Sequence, residues 1–60
     1  MEDVKAIIAQ NIIRLRKNAN LTQAELAEKL SYTDKAISKW ERGESVPDIS
    51  VLVSVAELFG

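Results

Sequence analysis

The sequence predicts an all-α fold, a compact bundle of four short helices, and three observations carry that prediction. Apolar residues recur at helical spacing along most of the chain. Each periodic stretch begins beside a residue able to cap a helix, namely Asp3, Thr22, Thr33 or Asp48. Between the stretches stand residues that end helices or hold the chain extended, among them Asn20, Gly43 and Pro47. With 60 residues the chain lies near the lower limit for folding without disulfides or metal, and it has room for one domain, residues 1–60.

The first helix is expected at about 4–19. Glu2 and Asp3 favour the positive end of a helix dipole, with Asp3 as the cap. At about 100° per residue Val4, Ile8, Ile12, Leu15 and Ala19 form one stripe, and Ile13 falls off it toward solvent. Asn20 stops the helix, because asparagine enters the left-handed region more readily than any residue but glycine.

The second helix, 23–30, opens on a capping box. The Thr22 hydroxyl is placed to accept the third backbone N–H, and Glu25 reaches back to the Thr22 N–H. Leu26, Ala27 and Leu30 face inward, the alanine letting a neighbouring helix approach closely. Ser31 and Tyr32 then make a connection too tight for a flexible loop. Thr33 caps a third helix at about 34–42, ended by Gly43, with Asp34 favourable in its first turn. Here Ala36, Ile37 and Trp40 share one side, and Asp34, Lys35, Ser38, Lys39 and Arg42 project from the opposite arc. One face anchors the helix and the other is presented. Trp40 could stack on bases, but its phase with Ile37 assigns it to the core.

Asp48 caps the fourth helix, 49–59. Ile49, Leu52, Val53, Ala56 and Phe59 make one stripe, while Val51, Val55 and Leu58 render much of the other side apolar. That excess is read as core, as a dimer surface, or as the seat of a missing helix. The expected core is Ile8, Ile12, Leu15, Leu21, Leu26, Ala27, Leu30, Ile37, Trp40, Ile49, Leu52, Ala56 and Phe59.

Composition limits the chemistry. Cysteine and histidine are both absent, which removes disulfides, thiol nucleophiles, zinc-finger ligands and the commonest neutral-pH general base. The acids are dispersed and no nucleophile stands beside a base, so an enzyme, a cofactor or a metal site is not expected. No apolar run approaches the ~18 residues of a membrane span, and no export segment is visible, so the expected compartment is the cytoplasm. The formal net charge is −1, which argues mildly against a nucleic-acid binder. Its distribution matters more. Residues 44–60 carry Glu44, Asp48 and Glu57 with no Lys or Arg, whereas Lys35, Lys39 and Arg42 crowd the stretch just before them.

Leu15-Arg16, the run Leu21-Thr22-Gln23-Ala24-Glu25-Leu26-Ala27, and Ile37-Ser38-Lys39-Trp40-Glu41-Arg42-Gly43 followed by Pro47 resemble the phage Cro and lambda-repressor type of helix-turn-helix domain, the XRE family. The match covers nearly the whole chain. It implies that the third helix enters the major groove of double-stranded DNA while the second sits on the backbone. Carried over by position, Lys35, Ser38 and Lys39 become base or near-base contacts, with Asp34 at the groove's edge; Thr22, Gln23 and Arg42 become phosphate contacts. Arg16 and Glu41 occupy positions where related domains form an ion pair tying the first helix to the end of the third. The implied function is sequence-specific DNA binding as a transcriptional regulator, a repressor, as a homodimer on a palindromic site. The alternative is a protein–protein interaction module on the same scaffold, supported by the acidic balance.

Three departures from the family pattern bear on that reading. Ser31 stands where the family usually has glycine, so the turn is either strained by ~1–2 kcal/mol or differently shaped. Tyr32 replaces a smaller apolar residue and is expected to bury only part of its ring. Glu44 takes the place of a basic or polar backbone contact. The family's usual fifth helix would begin at Gly60, so the chain is expected to be a fragment of a longer regulator.

Overall fold

The computed structural model describes residues 3–59, which form α1 (Val4–Asn18), α2 (Gln23–Leu30), α3 (Asp34–Glu41) and α4 (Ile49–Phe59), with no strand among the described residues. Glu2, expected to favour the start of α1, and Gly60 lie outside them. Helices α1 and α3 end one residue earlier than their periodicity predicts. Ala19 (φ −88°, ψ 0°) and Arg42 (φ −88°, ψ −3°) cap them, each the last right-handed residue before a left-handed one.

The start of each helix is fixed by a side-chain oxygen. Asp3 accepts the Lys5 N–H at 3.0 Å, Thr33 accepts the Ala36 N–H at 3.2 Å, and Asp48 accepts the Val51 N–H at 3.1 Å. At α2 both halves of the capping box are made: the Glu25 N–H donates to Thr22 Oγ1 at 3.0 Å and the Thr22 N–H donates to Glu25 Oε1 at 2.8 Å.

The first three helices end in the same way. Asn20, Ser31 and Gly43 take left-handed conformations with φ of 59°, 61° and 73°. The next N–H then returns to a carbonyl five residues back: Leu21 to Arg16 at 3.1 Å, Tyr32 to Ala27 at 2.8 Å and Glu44 to Lys39 at 3.0 Å. Ser31 thus adopts the left-handed geometry that glycine supplies most readily, and its turn closes with the same return hydrogen bond as those at Asn20 and Gly43. At Gly43 an added Cβ would meet nothing within 4 Å, so the requirement there is conformational and not one of space.

Helix α3 packs against both α1 and α2, while α4 meets the bundle chiefly through α2. The core joins Ile12, Leu26, Ala27, Ile37, Trp40, Val51 and Val55, with Ile8, Leu15, Leu21, Leu30, Ala36 and Phe59 half-buried around it. On α1 the stripe loses its ends, since Val4 and Ala19 are exposed, and small Ala9 is buried instead. Ile13, expected in solvent, is half-buried.

Helix α4 is turned away from its expected orientation. Ile49 is 80% exposed, Leu52 sits at the edge of exposure and Ala56 is exposed, whereas Val51 and Val55 point inward. Both sides of this helix are apolar, their centres roughly 130° apart at about 100° per residue, so hydrophobic periodicity alone cannot choose between them. The packed bundle does: Val51 and Val55 join the core cluster of Ile12, Leu26 and Ile37, with buried Pro47 leading into the Asp48 cap. Among the described residues no helix is long and apolar enough to cross a membrane.

Candidate nucleic-acid interface

The orientation of α3 is set from both ends and from beneath. Beneath it, Ile37 is fully buried and Trp40 nearly so, which confirms the tryptophan as an anchor. Tyr32, 42% exposed, lays its ring against Trp40 with centroids 5.2 Å apart and planes tilted by 58°. This offset aromatic pair covers the indole from the turn side.

At the far end an ion pair locks the helix. Arg16 Nε donates to Glu41 Oε2 at 2.6 Å and Nη2 donates to Oε1 at 2.9 Å, a two-point fork between α1 and the last residue of α3. Nη1 of the same guanidinium donates to the Leu21 carbonyl at 2.9 Å. Nε2 of Gln23 donates to Glu41 Oε1 at 3.0 Å. One carboxylate therefore holds α1, the start of α2 and the end of α3 together. The pair is largely enclosed, with side-chain exposures of 14% for Arg16 and 6% for Glu41. Burial pushes the Glu41 carboxyl up, but hydrogen bonds from Arg16 and Gln23, with the charges of Arg16 and Lys17, outweigh it and hold the carboxyl below its ordinary value.

The outward arc of α3 carries Asp34, Lys35, Lys39 and Arg42, all exposed, with Ser38 half-buried between them. Among the described residues the ion pairs are Arg16–Glu41 and Arg42–Glu44, so neither lysine is engaged. Arg42 is engaged: Nε donates to Glu44 Oε2 at 2.5 Å, and Nη1 donates to the Ser38 hydroxyl. Those bonds hold the Glu44 carboxyl below the usual range, first through the Arg42 hydrogen bond and its charge, with a smaller contribution from Lys39.

The sequence-assigned residues thus fall into two groups. Lys35, Ser38, Lys39 and Arg42 share one exposed arc, with Asp34 at its N-terminal end. Thr22 and Gln23 lie together at the start of α2, where the Thr22 hydroxyl oxygen already caps the helix and one amide hydrogen of Gln23 is given to Glu41. Sequence reasoning did not anticipate the Gln23–Glu41 bond or the clasp of Glu44 and Ser38 on Arg42. The first joins different helices, and in the second the left-handed turn at Gly43 lays Glu44 back beside the end of α3.

Residues 12–60 match the helix-turn-helix family model. The HTH-type transcriptional activator BcrR of Enterococcus faecalis is 40% identical over 50 residues, which is 83% of this chain and 24% of that protein. The 26 kDa repressor protein of Escherichia phage HK022 is 50% identical over 38 residues, covering 63% of this chain and 16% of the repressor. The HTH-type transcriptional regulator y4dJ of Sinorhizobium fredii is 29% identical over 58 residues, covering 97% of this chain and 75% of its own. The chain therefore spans about a quarter of the activator's length and less of the repressor's. No solved structure matches it. With the family model covering most of the chain, and with two capped helices joined by a left-handed turn at its centre, the chain belongs to the helix-turn-helix family of the Cro and lambda-repressor type.

Proposed function

We propose that this domain binds double-stranded DNA sequence-specifically as a transcriptional regulator, with α3 in the major groove. The observation that carries the reading is the two-faced α3, buried through Ile37 and Trp40, clamped through Glu41, and presenting two unengaged lysines outward. Lys35 and Lys39 can donate to guanine O6 and N7, and the Ser38 hydroxyl can donate or accept. Asp34 accepts from cytosine N4 at the groove's edge and repels phosphate, so it discriminates more than it binds.

The backbone contacts come from the start of α2 and the end of α3. Thr22 keeps its hydroxyl proton for a phosphate oxygen even while its oxygen caps the helix. Gln23 has a second amide hydrogen beyond the one given to Glu41, and the helix N-terminus adds its dipole. Arg42 is the third phosphate ligand. The relatives named above include an activator and a repressor; a domain that only occupies an operator overlapping a promoter represses, and repression is the mode proposed. Two copies on a palindrome would address half-sites ~34 Å apart. A protein-interaction module is the second reading, favoured by Glu44, which neutralises a cation on the presented face.

Selection from a random duplex pool tests the proposal. Enrichment of one motif, repeated as a palindrome, is expected. A pool that stays unenriched would refute sequence-specific binding and leave the interaction module standing.

A further inference from the structure

The clasp on Arg42 is not accounted for by a simple phosphate contact. Gly43, at φ 73°, turns the chain so that the Glu44 N–H returns to the Lys39 carbonyl at 3.0 Å, which lays Glu44 back beside the last turn of α3. There its carboxylate takes Arg42 Nε at 2.5 Å, while Arg42 Nη1 reaches one turn back to the Ser38 hydroxyl. Two groups assigned to DNA are thereby joined to each other and to an anion, on the surface a duplex would approach. Carboxylates and phosphates recognise a guanidinium through the same charge-assisted fork, so one Nε–H cannot serve both.

We propose that Glu44 sets the affinity of the interface by competing with DNA phosphate for Arg42. The proposal rests on the DNA-binding reading above. In the free domain Glu44 occupies the position of the phosphate and holds Arg42 across Ser38; on binding, the duplex displaces it and releases the Ser38 hydroxyl toward the groove. Phosphate contacts supply essentially all of non-specific binding, so a competitor at a phosphate ligand weakens binding to arbitrary DNA in particular. Glu44 thus trades general affinity for discrimination.

Four proteins test this on a short mixed-sequence duplex at low salt, followed by fluorescence anisotropy: the parent chain, Glu44→Gln, Arg42→Ala, and the two changes combined. Both side chains are about half exposed, at 52% and 54%, so all four proteins retain the same core. Glu44→Gln is expected to tighten binding about two- to five-fold, the range over which one exposed ion pair shifts an equilibrium. In the Arg42→Ala background the same change is expected to leave the Kd unaltered, because the competitor then has nothing to withhold. An equal gain in both backgrounds would show that Glu44 merely repels the duplex through space and would overturn the proposal, as would no gain in either. Binding by none of the four would overturn the DNA-binding reading and this inference with it, whereas binding by the parent without a gain on Glu44→Gln overturns this inference alone.

Discussion

Glu41 is the residue on which the interface geometry depends most. It accepts from Arg16 twice and from Gln23 once, and these bonds join three helices at one largely enclosed carboxylate. Removing one partner of such a pair strands the other, at a cost of about 3 kcal/mol, more than the ~0–1 kcal/mol of an exposed pair. Arg16→Ala and Glu41→Ala are therefore expected to couple by at least ~1 kcal/mol in a double-mutant cycle read by chemical denaturation; additive effects would mean that the fork contributes nothing. The pair also leaves a pH signature. The folded Glu41 carboxyl lies below its ordinary 4.5, so the unfolded chain takes up the proton first as pH falls. Its stabilisation is complete above that ordinary value and is lost as pH drops through the folded one. Thermal midpoints measured across this acid limb should fall less steeply in Glu41→Gln than in the parent.

At the scale of elements, the turns and the last helix distinguish what the chain encodes locally from what it does not. The capping box, the Asp48 cap and the stops at Asn20 and Gly43 were legible because each is a short-range device, settled by residues a few positions apart. Ser31 was legible as an exception, and its φ of 61° places it in the left-handed region that costs a non-glycine residue ~1–2 kcal/mol. Replacing Ser31 by Gly is expected to stabilise the domain by about 0.5–1 kcal/mol, after allowance for the greater freedom of glycine in the unfolded chain; denaturation midpoints will show it. The phase of α4 was not legible, because both of its faces are apolar and only the packed bundle selects one. Val55→Ala should accordingly cost about 1–2 kcal/mol, while Ile49→Ala, at a side chain 80% exposed, should stay within ~0.5 kcal/mol. A reversed order would mean that α4 packs in the orientation its sequence stripe suggests.

Over the whole molecule, a chain of net charge −1 keeps its cations where the fold can present them. Lys35 and Lys39 stand outside on α3, Arg16 is drawn inside to Glu41, and Arg42 is held by Glu44. The sequence located Lys35 and Lys39 on the outer face of α3, since helical phase assigns inside and outside, while Arg42 falls one residue past the helix, at its cap. Through the family resemblance it also pointed to the Arg16–Glu41 pair, but it did not reveal that Arg42 is engaged, because that depends on the left-handed turn at Gly43 that lays Glu44 back beside α3. The central claim is that the free lysines of α3 meet base edges of a duplex while Thr22, Gln23 and Arg42 hold its phosphates. Titration of duplex DNA at several salt concentrations tests it most directly: log K should fall linearly with log salt at about −0.9 per phosphate contacted, and Lys35→Ala or Lys39→Ala should weaken binding. Binding that ignores salt, or that survives both substitutions unchanged, would contradict the claim.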